Sequence, residues 1–406
     1  MKIFKFFLTR IFLKRPILVL GMIALLFLAN YFSFTAARSI ISTSQGYNKI
    51  EILNKKGNFI ANLDPNSKSD FNSLKKGDTQ KIYEYLSNNY EYAFQANGFV
   101  TSLNNKNDME ITLNYINKDA YKINRFNLFE GEELDFQDEL NVEEIPVLIG
   151  YGLAKTYPIG SVIKINDSSL PNPINLKVKG VLEKDFYHSN FYAPNSKNYF
   201  NFSIFVPVNN KILQNSKIDL QVNGLMDLIL IHSTKKEALK LSKYIEENTN
   251  LKFNFFSQQE NFNYFEDYYM NSLKIIGSIT IILLIIVISV AIWNNLMSIR
   301  LMISDITINL LVGLSYSKLR RIFYGYFGLL LFLNIIGLFI ITAFNRYSFW
   351  LKKDAIFATY GKFGLLDMDW LALLIVIIID IIISILIVEI SLKKIKSIPI
   401  SLGVLQ

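Results

Sequence analysis

Four stretches of this chain are each apolar for about the 20 residues that a helix needs to cross a hydrocarbon core. Their spacing limits the fold more than any other feature. They run from about Pro16 to Ala36, Leu273 to Ile292, Ile322 to Ala343 and Trp370 to Ile390, and the first contains no charged residue. The first two are separated by about 235 residues that are richer in Asn and Lys and hold most of the prolines, enough for one or two domains in water. The pattern predicts a membrane protein with four transmembrane helices (1+3) and a large external α+β domain between the first and second.

The expected boundaries are a cytoplasmic N-terminus at 1–15, helix 1 at 16–37, the external domain with helical stalk segments at 38–270, and helix 2 at 271–297. A cytoplasmic coupling helix and loop at 298–320 follow, then helix 3 at 321–345, an external loop at 346–369, helix 4 at 370–392 and a cytoplasmic tail at 393–406. Orientation comes from Lys and Arg beside the spans. Lys2, Lys5, Arg10, Lys14 and Arg15 precede the first span. Arg300, Lys318, Arg320 and Arg321 lie between the second and third, and Lys393, Lys394 and Lys396 follow the fourth. Four crossings put all three groups on one side, the cytoplasm. The net charge of +8 is then a matter of membrane topology, which argues against a nucleic-acid partner. The run after Arg15 is longer than the core of a secretory signal, so the small residues Thr35, Ala36 and Ala37 are expected within an uncleaved anchor.

Charged residues make up 19% of the chain against about 25% in ordinary soluble domains, which excludes a disordered or wholly soluble protein. The absence of cysteine excludes disulfides, thiolate metal sites and a cysteine nucleophile.

Within the external domain, short β-rich runs are expected at Lys49–Leu53, Phe94–Leu103, Glu110–Ile116, Val147–Ile149, Ser161–Ile165, Leu176–Leu182, Ser203–Val206, Asp227–Ile231 and Lys252–Phe256. Turn formers such as Asn104-Asn105 and Pro171-Asn172-Pro173 bound them. Helices are expected at Thr79–Asn88, Gly152–Tyr157 and Lys235–Asn248, the last with Ala238, Leu241 and Ile245 on one face. Arg38 to Asn48 extends the first span outward as helix. Ser257 to Asn271, which contains no Pro or Gly, continues into the second.

Catalytic constellations are scarce. His188 and His232 are far apart and lack a carboxylate cluster, so both read as structural and no metal site is expected. Gly150 to Thr156 has the flavour of a phosphate loop, but Ile149 and Ala154 stand where that motif needs glycines. The intramembrane polar residues stand out more. Asp380 lies mid-way along the fourth span, where a carboxylate costs about 2.5–3.5 kcal/mol on insertion scales. Asn334, half-way along the third span, is the expected hydrogen-bond partner. A proton or ion site, or a polar conduit, is the alternative role for Asp380.

Between the second and third spans, Met302, Ile306, Asn309, Leu310 and Gly313 fall on one helical stripe. A short helix at the inner membrane surface, ending at Gly313, is expected there. Its sharper reading is a docking element for a cytoplasmic partner.

At this point the chain resembles the permease subunits of the MacB/FtsX/LolC-type ABC transporters, over nearly its whole length. The family's inner loop reads like E-I-G-x-x-R-A-L-G-A-S. Here Asp305-Ile306 and Val312-Gly313-Leu314-Ser315 fall in matching places, with Asp305 for Glu, Thr307 for Gly, Leu310 for Arg and Leu311 for Ala. Val147 to Ile149, the stretch from Gly152 and Gly160-Ser161-Val162-Ile163 follow the family's strand, helix start and turn. Val178 to Leu182, Phe205-Val206-Pro207 and the tail Pro399-Ile400-Ser401-Leu402 are similar to further segments.

The resemblance implies a non-enzymatic chain in the bacterial cytoplasmic membrane, with both termini in the cytoplasm. It implies pairing with a second permease, identical or related, and with ABC-type ATPase subunits that bind the ATP, so that this chain carries no cofactor. It also implies motion of the external domain that exports a peptide, antibiotic or lipid-linked molecule. The alternative is mechanotransmission or signalling that activates an external hydrolase or sensor partner, and the resemblance also allows an external adaptor or substrate protein as a partner. The residues it marks for ATPase coupling are Asp305, Ile306, Gly313 and Ser315, flanked by Arg300 and Lys318.

Overall fold

The computed structural model describes residues 2–14, 16–67, 74–101, 103, 105–134, 136, 144–166, 169–170, 174–190 and 193–397. In chain order its elements are α1 (Lys2–Arg10), α2 (Pro16–Leu53), β1 (Phe59–Leu63), α3 (Lys76–Asn89), β2 (Glu91–Ala93), β3 (Gln95–Thr101), β4 (Ile111–Ile116), α4 (Lys118–Asn124) and β5 (Leu128–Gly131). Then come β6 (Ile145–Ile149), β7 (Val162–Ile165), β8 (Ile174–Leu182), β9 (Tyr187–Asn190), β10 (Ala193–Tyr199), β11 (Ser203–Pro207), α5 (Asn210–Asn215), α6 (Ile218–Met226), β12 (Ile229–Ile231), α7 (Lys235–Thr249) and β13 (Phe253–Ser257). Helices α8 (Gln258–Tyr264), α9 (Asn271–Leu311), α10 (Tyr316–Leu351) and α11 (Asp367–Lys396) complete the chain. Two compact units result. One comprises residues 1–41, 271–345 and 365–406, and the other residues 42–270 and 346–364.

In the helical unit, four helices are long and apolar enough to cross a membrane: Pro16–Glu51, Gln258–Leu311, Tyr316–Leu351 and Asp367–Lys396. Pro16 suits the start of α2, because its missing N–H would have no partner in the first turn. Two apolar clusters hold the unit together. One gathers Phe7, Met22, Leu26, Phe323, Leu330, Ile383 and Ile387. The other gathers Phe34, Ala37, Leu338, Ala372, Leu373 and Val376. Ile275, Ile279, Ile282 and Ile286 of α9 are largely exposed, as an apolar helix is when lipid or a second helix covers it.

The inner segment departs from expectation. No separate surface helix forms: α9 runs unbroken to Leu311, because its sequence from Asn271 holds neither Pro nor a second Gly after Gly277 to interrupt the ladder. At the other end, α8 and a π-helical turn at Phe265–Met270 lead straight into α9, as the polar aromatic segment suggested.

The second unit is built on two sheets. The larger has seven strands in the order β3-β4-β11-β6-β8-β5, with β7 also paired to β8. Its central strands β4 and β11 are buried at every position and run parallel, from Thr112 beside Ser203 to Ile116 beside Pro207. The smaller sheet has the order β13-β1-β12-β2, and β9 and β10 form a separate ribbon. The main core packs Tyr83, Phe94, Tyr115, Ile149, Phe202, Leu225 and Leu241 between the sheets and α3, α6 and α7.

Residues 346–364, expected as a loop, belong to this unit. Trp350 stacks edge-on against Phe202 and Tyr360, and Asn201 Nδ2 donates to the Ala358 carbonyl at 3.0 Å. The Tyr360 N–H donates to Asp185 Oδ1 at 2.7 Å, and Lys353 pairs with Asp108.

Three further expectations fail. Lys49–Leu53 is the last turn of α2, because nothing after Ala37 breaks the helix before Asn54. Gly152–Tyr157 shrinks to a single 3-10 turn at Tyr151–Leu153, entered from Gly150 and ended at Ala154. The expected strands omit β1, β2, β5, β9 and β10, all of which the structure contains. Asn104, Pro171-Asn172-Pro173, Arg15 and the Pro399–Leu402 tail lie outside the described residues.

Candidate functional site

The turn between α9 and α10 is fixed by both of its caps. Gly313 adopts φ +103°, a conformation that side chains disfavour, and its N–H donates to the Leu310 carbonyl at 3.1 Å. The Leu314 N–H donates to the Asn309 carbonyl at 3.0 Å. Together these bonds form the paired 6→1 and 5→2 closure that ends a helix on glycine. Two residues later, Ser315 Oγ accepts from the Lys318 N–H at 3.3 Å and so caps the first turn of α10. Gly313 and Ser315 therefore have structural duties that any further role must share.

The outcome is a tight turn with an exposed apolar crest. Leu311 is 58% and Val312 83% exposed, and Gly313, Ser315 and Lys318 are exposed beside them. Arg300 is also exposed, three turns back along α9. Asp305 is half-buried and pairs with Lys14 at 3.4 Å, a contact that is weak in so exposed a setting. Ile306 is fully buried in the cluster with Phe7 and Phe323, so it anchors the helix rather than meeting a partner. Arg320 of α10 reaches Glu389 of α11 at 3.1 Å, and the Tyr324 hydroxyl donates to the same carboxylate at 3.0 Å.

Deeper in the helical unit, Asp380 is 3% exposed and accepts from Asn30 Nδ2 at 2.9 Å. Its partner is not Asn334, as expected, but a residue of the first span. Asn30 was legible as the lone amide of that span, four residues from Leu26 and four from Phe34. The same spacing recurs in α10, where Asn334 lies four residues from both Leu330 and Leu338, and in α11, where Asp380 lies between Val376 and Ile383. All three polar residues thus share a layer between the two apolar clusters. Asn334 Nδ2, Asn30 Oδ1 and Asp380 Oδ1 are buried without a hydrogen-bond partner. The layer is held by one good bond and is not fully satisfied.

In the second unit, His188 lies on β9 among Phe126, Phe186 and Phe200, with ring centroids 5.0–5.9 Å away. Burial, with the Lys49 charge as a lesser cause, pushes its pKa down to about 3, so the ring is neutral. His232 follows β12 with φ +49° and its Nδ1 lies 3.0 Å from Glu91 on the surface. Gly150 and Gly152 are needed for packing: a Cβ on Gly150 would lie 1.9 Å from the Phe200 carbonyl oxygen, and one on Gly152 would meet the Phe202 ring. Among the described residues, no three potential metal-ligating side chains converge.

No protein-family model matches the chain, and no curated protein matches it. Solved structures do. The extracellular domain of the noncanonic ABC-type transporter YknZ from Gram-positive bacteria is similar at 14% identity, over 49% of this chain and all of that one, with a TM-score of 0.31. The periplasmic region of MacB from Actinobacillus actinomycetemcomitans is similar at 15% identity, over 52% of this chain and 92% of that one, with a TM-score of 0.32. A domain of a permease protein from Porphyromonas gingivalis is similar at 10% identity, over 50% and 90%, with a TM-score of 0.29. The chain thus has four helices fit to span a membrane and, between the first and second, an α+β domain similar to the external domains of such proteins.

Proposed function

We propose that this chain is the permease subunit of an ABC transporter. A separate ATPase docks on the turn between α9 and α10, and its hydrolysis cycle moves the external domain to export a peptide, antibiotic or lipid-linked substrate. The observation that carries this reading is the exposed Leu311–Ser315 turn. An apolar crest that both caps hold rigid, with Arg300 and Lys318 at its sides, is costly to leave in water and suits a protein groove. The helix from Gln258 to Leu311 supports the coupling half of the proposal. The 41 residues of α9 alone extend about 60 Å, so movement at its inner end is felt along its length. A second permease, identical or related, covers the exposed apolar face of α9. Asp305 and Arg300 steer the ATPase, while Ile306 keeps the helix seated.

A second reading is mechanotransmission to an external hydrolase or sensor. It is favoured by the apolar clusters that fill much of the helical unit, where buried polar side chains such as Asn30–Asp380 and Asn295–Ser391 bond to one another.

Both readings require an ATPase. Affinity purification from native membranes should bring down a P-loop ATPase, identified by mass spectrometry and by ATP hydrolysis. It should be lost in a variant combining Asp305→Lys with Val312→Asp. An intact wild-type preparation with no ATPase would overturn the proposal.

A further inference from the structure

Inside the second unit lies a cavity of about 130 Å³ that the coupling mechanism does not use. A single water needs only about 10–15 Å³, so a molecule of roughly ten non-hydrogen atoms fits. Its wall is an amide chain. Asn124 Nδ2 donates to Gln95 Oε1 at 2.8 Å, and Gln95 Nε2 donates to Asn97 Oδ1 at 3.0 Å and meets His188 Nδ1 at 3.1 Å. These bonds fix the Gln95 amide, which in turn fixes the histidine tautomer. Nδ1 accepts, so the proton of the neutral ring sits on Nε2. That Nε2 is buried and has no hydrogen-bond partner.

Two charges complete the lining. Lys49 Nζ lies over the Phe186 and Tyr187 rings, 5.4 and 5.7 Å from their centroids; it feels the Glu183 carboxylate but forms no ion pair among the described residues. Asp227, which follows α6, is exposed at the cavity and makes no ion pair or hydrogen bond among the described residues. The buried Nε2–H donor is costly to leave unanswered, and a cation and a carboxylate line the same polar cavity beside it.

We propose that this cavity binds a small zwitterion of free amino-acid size, whose carboxylate meets Lys49 and the His188 Nε2–H and whose ammonium meets Asp227. A sugar or other neutral polar molecule would satisfy the amides but leave both charges unanswered. A simple anion or cation would answer only one. The proposal does not depend on ATPase docking and stands or falls separately from it.

The test uses the full-length protein in lipid nanodiscs and isothermal titration calorimetry with each of the twenty common L-amino acids in turn. At least one should bind with a Kd below about 1 mM. Its N-acetyl and its C-terminal amide derivatives should each bind at least about tenfold more weakly. Lys49→Met should erase the discrimination against the amide, and Asp227→Asn the discrimination against the N-acetyl form. The blocked ligands test the claim on wild-type protein, should a variant fail to fold. Binding by none of the twenty, or equal binding of blocked and free forms, would overturn the proposal.

Discussion

Replacing His188 with Gln should flatten the acid limb of the second unit's stability. The native ring titrates at about 3 because it is buried among aromatic rings, whereas the unfolded ring titrates near 6.5. Below pH 6.5 the unfolded chain therefore binds one proton that the native state refuses. The sign follows: the contribution is fully present above pH 6.5 and is lost as pH falls toward 3. The slope rises to about 1.4 kcal/mol per pH unit below pH 6.5, which amounts to about 2 kcal/mol between pH 6.5 and 4.5. Denaturant titration at a series of pH values would read it, following fluorescence. Trp350 alone among the three tryptophans falls in this unit, so Trp293→Phe and Trp370→Phe leave a local probe. His188→Gln will change the absolute stability, but the comparison rests on slope. If wild type and variant lose stability in parallel between pH 6.5 and 4.5, the ring is charged in the native state and the reasoning fails.

Three other outcomes follow from the packing. Asn30→Leu removes the one hydrogen bond to buried Asp380 and should cost about 1–3 kcal/mol, whereas Asn30→Leu with Asp380→Leu should cost less than the sum of the single changes. Thermal unfolding in nanodiscs reads this cycle, and additivity would mean that the two side chains do not interact. Gly313→Ala meets open space and pays only for its φ, about 1 kcal/mol, with insertion and folding intact. Gly224→Ala drives a Cβ to 1.8 Å from the Phe94 ring in the main core. Its second unit should fail to fold to a protease-resistant state, and normal resistance would refute the packing argument.

The spans were legible because apolar runs of that length have few alternatives, and so were strands such as β8, where Leu176, Val178 and Gly180 alternate with Lys177 and Lys179. What sequence misjudged was set by context. Lys49-Ile50-Glu51-Ile52-Leu53 alternates like a strand, yet it continues a helix already nucleated upstream, where propagation is easier than switching. The Asn58 side chain closes its end, donating to the Leu53 carbonyl at 3.0 Å. Helix α6 escaped notice because Gly224 sits in its interior, tolerated there for close approach to Phe94. The partner of Asp380 was misassigned because helix packing, not sequence distance, decides which amide shares its layer. The cavity was illegible altogether. Lys49, Gln95, His188 and Asp227 come together only after α2, β3, β9 and α6 have packed.

The central claim, that the exposed turn is where an ATPase docks, has a direct test. The chain contains no cysteine, so Val312→Cys carries a photoactivatable maleimide at one site only. In native membranes, illumination should join this chain to an ATP-hydrolysing P-loop protein, and the yield should change when a non-hydrolysable ATP analogue is added. Lipid adducts alone, or the same products at a cysteine placed on the lipid-facing side of α9, would contradict the account.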